Sequence, residues 1–383
     1  MEKAEAGAGA EYDLIVVGAG PAGSACAITA ARSGAKVLLL EKDKFPRHKV
    51  CGEFVSGESL RVLASLTDTT KDGVPHSLQG KGWDFRDFAD RPEIDSARIF
   101  LDDDDKVARL PISPPARSIP RFDLDAALFQ AARESGARAK ESTVVRRVEQ
   151  NSALTVHTDA ERFTAKAVVN SSGRWSQLTQ HDLTEKEKWI GLKAHFSEDQ
   201  PPNSVDLYYF PGGYCGVQPV TSDQVNACAM VRADAARSLE EVLAAHPALW
   251  RRSRDWTQLF PTVTTSPLYF RRPVTFDQGM LLAGDAAGFI DPFAGDGISL
   301  ALQSGTLAAE SLAAFLQGAI SMVEAQRQYT AAYFKRLAPA FRSSARLRRL
   351  LAAPAWLRSI LVGLAGTGPV ARMIVRGTRA RTS

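Results

Sequence analysis

The spacing of apolar residues predicts a strand, a helix and a second strand at the start of the chain. Residues 11–17 form a short apolar run bounded by glycines, which is typical of a buried parallel strand. Residues 22–32 are rich in alanine and follow Pro21, which indicates a helix that Gly34 ends. Residues 35–40 form a second apolar run, so the three pieces make one βαβ unit.

Apolar positions recur with a period of two between Trp189 and Met230. This alternation is typical of antiparallel sheet, with turns at 201–203 and 211–213, where prolines and glycines gather. The other predicted elements are a helix over 122–135, strands over 143–148, 154–157, 165–170 and 280–283, a helix over 298–316, and helix from about residue 322 onward with breaks at Pro339, Pro354 and Pro369.

These elements predict an α/β fold with a discontinuous Rossmann-type nucleotide-binding domain. Its pieces are separated along the chain, so a substrate domain of antiparallel β-sheet must be inserted into it. We assign residues 1–75, 105–180 and 270–330 to the nucleotide-binding domain, residues 76–104 and 181–269 to the substrate domain, and residues 331–383 to a basic, apolar, helical C-terminal segment.

The composition is ordinary for a globular protein. Hydrophobic residues make up 45% of the 383 residues and charged residues 23%, which excludes a disordered chain. The four cysteines are scattered and form no Cys-x-x-Cys pair, so we expect neither a disulfide scaffold nor a metal site. The N-terminus lacks the pattern of a signal peptide, so we expect a cytoplasmic protein.

Charge is distributed unevenly along the chain. Residues 331–383 carry eleven Lys and Arg and no Asp or Glu, so a net charge of +4 leaves −7 on the first 330 residues. Nucleic acid is not expected as a partner, because this segment has only four aromatic residues that could stack on bases. Its apolar, basic helices leave open a peripheral contact at the inner face of the membrane, and a helical cap over the substrate domain is the alternative.

The first chemical motif is Gly18-Ala19-Gly20-Pro21-Ala22-Gly23, which follows the first strand and opens the first helix. Its glycines permit a tight turn, close approach of the backbone to a pyrophosphate, and close packing of helix on strand. Glu41 ends the second strand eighteen residues after Gly23, where a carboxylate accepts hydrogen bonds from an adenosine ribose. The motif therefore predicts dinucleotide binding.

A second glycine and acid turn occurs at Gly284-Asp285, after the apolar strand 280–283. The glycine-rich loop 291–297 then leads into the long helix. An acid after a strand can accept a hydrogen bond from a ribityl hydroxyl, and a helix N-terminus can stabilise negative charge on a reduced flavin ring. The structural alternative is an Asp helix cap beside a flexible loop.

Because it has both turns, the chain resembles the FAD-dependent oxidoreductases of the aromatic-hydroxylase (flavin monooxygenase) fold, and within them the geranylgeranyl reductase family. The stretches that carry this second resemblance are Phe45-Pro46-Arg47-His48-Lys49-Val50-Cys51-Gly52, Arg121-Phe122-Asp123-x-x-Ala-x-Leu128 and Asp291-Pro292-Phe293-Ala294-Gly295-Asp296-Gly297-Ile298. The spacing from Arg121 to Asp123 is shorter than in the family, and Ser172 replaces an aspartate of the hydroxylases.

The resemblance implies a Rossmann-type FAD-binding domain, with FAD reduced by NAD(P)H or by a reduced partner. Gly18 to Gly23 would hold the diphosphate, Glu41 the adenosine ribose and Asp285 the ribityl chain or diphosphate. Arg121 has the alternative of a surface residue at the start of a helix. The full set of residues expected to bind the cofactor is Gly18, Gly20, Pro21, Ala22, Gly23, Glu41, Lys42, Arg47, Cys51, Arg121, Val145, Gly173, Gly284, Asp285, Pro292, Gly295, Gly297 and Ile298.

The reaction that the resemblance implies is reduction of C=C bonds in a hydrophobic, isoprenoid or polyketide-like substrate. Hydride comes from reduced flavin, and a proton must reach the other carbon. Cys51, His48 and Tyr214 are the candidate catalytic donors, with solvent as another. His195 and His246 are interpreted as surface or packing residues.

Three alternatives stay open for the function. A flavin monooxygenase would use the same motifs for oxygen chemistry. A halogenase of this fold carries a Trp-x-Trp-x-Ile-Pro stretch, which is missing here, and a pocket lysine, for which Lys49 is in a plausible loop. A non-catalytic prenyl-binding protein would lack the FAD motifs that this chain retains. The sequence leaves the oligomeric state open.

Overall fold

A computed structural model of the chain describes residues 10–67, 88–101, 107–150, 153–174, 177–178, 188–270 and 272–351. The strands in these ranges are β1 (Tyr12–Val17), β2 (Val37–Leu40), β3 (Phe54–Val55), β4 (Glu93–Phe100), β5 (Val107–Ser118), β6 (Arg138–Lys140), β7 (Val145–Gln150), β8 (Leu154–Thr158), β9 (Arg162–Asn170), β10 (Trp189–Ser197), β11 (Ser204–Phe210), β12 (Gly213–Pro219), β13 (Gln224–Arg232), β14 (Val263–Leu268), β15 (Phe276–Asp277) and β16 (Met280–Leu282).

The helices in the same ranges are α1 (Pro21–Arg32), α2 (Gly57–Thr67), α3 (Arg121–Glu134), α4 (Leu239–Ala244), α5 (Pro247–Ser253), α6 (Gly297–Leu316), α7 (Met322–Arg336) and α8 (Ala338–Leu351). Short 3₁₀ turns occur at Gly284–Ala286 and Pro292–Ala294. Within the described part of the chain, no helix has the length and apolar character needed to cross a membrane.

The first sheet is the nucleotide-binding sheet predicted from the βαβ unit. Its strands follow the order β15-β16-β9-β1-β2-β6, and β8 and β7 extend it beside β9. The strands from β16 to β6 in that order run parallel. Because the carboxyl ends of parallel strands lie at one edge, the loops after β1, β9 and β16 share that edge.

Helices α1 and α6 pack closely beside this sheet. A Cβ atom on Gly305 of α6 would lie 1.9 Å from the carbonyl oxygen of Ala22, so only glycine permits this approach. Both helices belong to one apolar core with Leu14 and Val16 of β1. Tight packing here fixes the helix starts next to the strand ends where a ligand would bind.

The second sheet is the predicted substrate sheet, with the order β14-β10-β13-β12-β11-β4-β5-β3. Its neighbours run antiparallel, as the period of two predicts, except for the parallel pair β11 and β4. On β10, Leu192, Ala194 and Phe196 belong to an apolar core with the helices α4 and α5. The alternate residues of β10 therefore face the other way, toward the first sheet.

Two expected domain boundaries differ from the observed elements. β5 was assigned with residues 105–180 to the nucleotide-binding domain, but it lies in the second sheet because it forms an antiparallel pair with β4. Residue 331 falls inside α7, since this helix continues to Arg336. The break predicted near Pro339 is found at Leu337, between α7 and α8, whereas Pro354 and Pro369 lie outside the described residues.

Candidate functional site

The glycine turn after β1 is shaped by backbone contacts that only glycine allows. Gly18 has a φ of 94°, and a Cβ on Gly23 would lie 1.8 Å from the Gly18 carbonyl oxygen. Gly20 caps α1 without a side-chain hydrogen bond, which leaves the first N–H groups of α1 for a ligand. Glu41 accepts the Ala19 N–H at 2.8 Å, so its carboxylate is fixed beside the turn.

The second turn lies directly against the first. A Cβ on Gly284 would be 2.9 Å from the Cβ of Ala22, and Gly284 donates its N–H to the Ser304 hydroxyl of α6 at 2.9 Å. Asp285 forms an ion pair with Arg174 at 3.3 Å. The structure thus brings together two motifs that are more than 250 residues apart in the sequence.

Two arginines are held beside the glycine turn by one buried carboxylate. Asp125 is fully buried and accepts Arg121 Nη2 and Arg47 Nη1, each at 2.6 Å. Burial alone would raise the pKa of Asp125, but the charges and hydrogen bonds of Arg121 and Arg47 lower it. Arg121 is therefore not a surface residue. Its guanidinium lies 3.8 Å from the position of a Cβ on Gly20.

A single cavity of about 1180 Å³ contains the predicted site. Every residue expected to bind the cofactor lines it except Gly23, and so do the candidate donors Cys51, His48 and Tyr214. Gly23 was expected to bind the cofactor, but its position is taken up by packing against Gly18. The third glycine thus fixes the turn rather than lining the cavity.

The cavity fits an extended dinucleotide because glycines keep its wall open. No protein atom lies within 4 Å of a Cβ built on Gly52 or Gly173. A Cβ on Gly20 or Gly297 would meet a single neighbour, at 3.8 Å and 3.9 Å respectively. All four glycines line the cavity, so side chains at Gly20, Gly52 and Gly297 would take up ligand space instead of clashing with the fold, whereas Gly173 is also required by its φ of 85°.

Beyond the glycines, the cavity continues over the second sheet with apolar walls. Strands of the second sheet contribute Leu207, Met230 and Leu268 to these walls. The loop after β16 contributes Phe289 and Phe293. Tyr214 donates its hydroxyl toward Asp291 Oδ1 at 3.4 Å. Burial and the Asp291 charge raise the pKa of Tyr214 well above 10, so the hydroxyl keeps its proton at neutral pH.

The other two candidate donors lie in the loop 47–53. The Cys51 thiol accepts the Glu53 N–H at 3.3 Å. The His48 ring packs against Phe122 and Phe260, with centroids 4.9 and 5.1 Å apart. Burial and the nearby charges of Lys193 and His195 lower the pKa of His48, so it is the weaker proton donor at neutral pH.

The end of this loop belongs to a buried charged cluster that was not predicted from the sequence. Glu53 is 0% exposed and contacts Lys193 and His195, which are 1% and 4% exposed. His195 was interpreted as a surface or packing residue, but it hydrogen-bonds Glu53 at 2.8 Å. The available signal was the alternation of β10, which places both basic side chains on the face opposite its apolar core. His246 is a packing residue that caps α5.

Comparisons with known proteins agree with this geometry. Residues 11–334 match the family model described as FAD binding domain. The chain belongs to this FAD-binding family. It is therefore an FAD-dependent oxidoreductase, and the prediction of an FAD-binding fold is confirmed.

Among curated members, a digeranylgeranylglycerophospholipid reductase of Methanocella arvoryzae is 28% identical over 344 residues, covering 84% of this chain and 82% of that protein. A 1H-pyrrole-2-carbonyl-[peptidyl-carrier protein] brominase of Pseudoalteromonas luteoviolacea is 24% identical, covering 80% and 78%. The structure of a geranylgeranyl bacteriochlorophyll reductase-like protein from Thermoplasma acidophilum superimposes with a TM-score of 0.76 at 22% identity, covering 96% of this chain and 95% of the other. The family thus contains both reductases and halogenases.

Proposed function

We propose that this FAD-dependent oxidoreductase reduces C=C bonds of a hydrophobic, isoprenoid or polyketide-like substrate. The observation that carries the proposal is the continuous cavity, in which a glycine-lined groove and apolar walls share about 1180 Å³. The apolar walls of the cavity lie over the second sheet, so an apolar substrate would bind there, beside a cofactor in the groove. The relative named digeranylgeranylglycerophospholipid reductase supports this choice.

Different residues of the chain would bind different parts of the cofactor and of the substrate. The α1 N-terminus and Arg121 would bind the diphosphate, Glu41 the adenosine ribose and Asp285 the ribityl chain. FAD bound there would, once reduced, supply the hydride for one carbon of the double bond. Leu207, Met230 and Phe289 would exclude water and orient the apolar chain of the substrate.

Tyr214 is the proton donor that the geometry favours. Tyr214 lines the cavity, and its hydroxyl keeps its proton at neutral pH and is oriented by Asp291. Cys51 is the second candidate, because it also lines the cavity and lies in the loop below the glycines. Tyr214→Phe should bind FAD with unchanged affinity and lower kcat by about 10²-fold or more. If kcat is unchanged, Cys51 or solvent is the proton donor instead.

We further propose that electrons come from NAD(P)H or a reduced partner and that the basic segment 331–383 contacts an anionic membrane surface. The membrane proposal predicts co-sedimentation of the full chain with phosphatidylglycerol vesicles and its loss with phosphatidylcholine vesicles. Equal behaviour with both vesicles would favour the helical cap instead.

The test of the proposed reaction is anaerobic. The holoenzyme is photoreduced under nitrogen and mixed with geranylgeraniol, and the products are examined by mass spectrometry. A product that gains two hydrogen atoms per double bond, together with reoxidation of the flavin, is expected. The heat-treated holoenzyme and FAD alone are the controls.

Oxygen chemistry is the second candidate, favoured by the similarity to the brominase. The same reduced enzyme is then exposed to air, with and without bromide. Product that forms only in air would contradict the reductase proposal, and product that also needs bromide would identify a halogenase.

A further inference from the structure

We propose that Glu53 is a positioning residue that fixes the loop 51–53 and the start of α3 against the second sheet. The loop and α3 together form the wall of the cofactor groove that faces the substrate sheet. Cys51, Gly52, Glu53 and Arg121 all line the cavity. A residue that ties this wall to β10 would set the distance between the cofactor and the substrate pocket.

The Glu53 carboxylate has partners on the second sheet and at the start of α3. On the second sheet, it contacts Lys193 Nζ and the His195 imidazole, at 2.8 Å from the imidazole nitrogen. At the start of α3, its Oε1 accepts the backbone N–H of Arg121 at 3.0 Å. One side chain therefore joins β10 to the first residue of α3.

The backbone around Glu53 is held equally firmly. The Glu53 carbonyl accepts the Ile119 N–H at 3.0 Å. The Cys51 carbonyl accepts Asn226 Nδ2 of β13, also at 3.0 Å. Glu53 has a φ of 62°, which is costly for a residue with a side chain and persists only when neighbouring contacts impose it. Loop 51–53 is thus fixed by contacts from α3 and from two strands of the second sheet.

Stability alone does not explain a carboxylate at this position. A buried ion pair can often be replaced by apolar side chains of similar size without loss of stability. Such a replacement would leave the Arg121 N–H without its acceptor and would release the loop from His195. The pattern of partners, rather than the ion pair itself, points to a positioning role.

The inference depends on FAD binding and not on the proposed reaction or substrate. Its test therefore uses no substrate. The FAD dissociation constant and the visible circular dichroism of the bound flavin are measured for the wild type, for Glu53→Gln and for a matched control, Asp206→Asn.

Asp206 is the appropriate control because its surroundings resemble those of Glu53. It is fully buried in the second sheet and forms ion pairs with two cationic side chains, Arg98 and Arg252. It does not line the cavity. Neutralising either carboxylate removes a buried negative charge that pairs with two basic side chains, so both variants should lose stability. Only Glu53→Gln should weaken FAD binding, by about tenfold, and change the flavin dichroism.

A second variant keeps the test decisive if Glu53→Gln fails to fold. Glu53→Leu combined with Lys193→Met leaves no unpaired charge in the ion pair, so it should retain the fold. It should still lose the contact with the Arg121 N–H and show the same weakened FAD binding. Wild-type affinity and dichroism in a folded Glu53 variant, or equal changes in Asp206→Asn, would overturn the proposal.

Discussion

At the scale of single residues, glycines divide into those that shape the fold and those that leave room for the cofactor. A Cβ on Gly20 would meet only Arg121 Nη2, at 3.8 Å, whereas a Cβ on Gly23 would lie 1.8 Å from the Gly18 oxygen. Gly20→Ala should change the stability of the apoprotein by less than about 1 kcal/mol and still lower FAD affinity about tenfold or more.

Gly23→Ala should behave in the opposite way, with a loss of about 3 kcal/mol in the apoprotein itself, because the backbone must move. Urea denaturation of the apoproteins and fluorescence titration with FAD distinguish the two effects. A strong loss of apoprotein stability in Gly20→Ala would contradict the assignment of Gly20 to the groove.

Asp125 is the residue on which the two arginines of the groove depend. Asp125→Asn removes the buried charge that pairs with both guanidinium groups and leaves Arg47 only its longer contacts with Glu41 and Asp43, so we expect a loss of roughly 3 kcal/mol in the free energy of unfolding. Asp123→Asn, two residues away, removes a pair with Arg91 whose side chains are 32% and 27% exposed. This control should cost less than about 1 kcal/mol. Denaturation curves of both variants compare these losses, and equal values would show that Asp125 is not structurally special.

At the scale of elements, the contact between loop 51–53 and β10 should weaken in acid. Burial alone would raise the pKa of Glu53, but His195 and Lys193 lower it from 4.5 to about 2. A carboxyl group whose pKa is lower in the folded protein than in the unfolded chain stabilises the fold at pH values above its unfolded pKa. This stabilisation is lost as the pH falls toward its folded pKa. As the pH falls from about 4.5 to about 2, the free energy of unfolding of the wild type should decrease by about 3 kcal/mol more than that of Glu53→Gln. Denaturant titrations at several pH values measure this difference, and parallel pH profiles would contradict it.

The elements that sequence reasoning predicted are those whose signals are local. The turn Gly18–Gly23 and its acid Glu41 lie in one βαβ unit, and Gly284-Asp285 follows a strand directly. β5 was missed because Pro111, Pro114 and Pro115 argue against a strand. β5 forms nevertheless, because on the edge away from β4 it pairs only with the two-residue β3. Few of its N–H groups are therefore needed for hydrogen bonds on that edge.

The charged cluster could not be predicted for a different reason. Glu53 and Lys193 are 140 residues apart, and their contact depends on how the two sheets face each other. Alternation along β10 indicates that Lys193 and His195 share a face, but no local pattern indicates which acid meets them. Long-range pairing of this kind is set by tertiary packing.

At the scale of the whole molecule, the cavity is lined by both sheets, so FAD bound there would contact both. Its walls come from the ends of β1, β9 and β16 and from β11 to β14. Saturating FAD at about 100 times its dissociation constant should stabilise the protein by about 2.7 kcal/mol. Calorimetry should then show one transition at a higher temperature than in the apoprotein. Stabilisation of a single one of two separate transitions would indicate that the second sheet unfolds independently.

The late position of Gly284–Ile298 in the sequence has a consequence for how the protein is made. The loop that completes the groove, together with the first residues of α6, leaves the ribosome more than 250 residues after β1 and its glycine turn. Central strand β1 must also await β9, at residues 162–170, for its second neighbour. The nascent chain therefore carries an unfinished, apolar sheet while these residues are made, and the vitamin-derived cofactor meets a complete groove only after residues 284–298 have emerged. Riboflavin starvation should accordingly leave full-length but protease-sensitive chains rather than truncated ones.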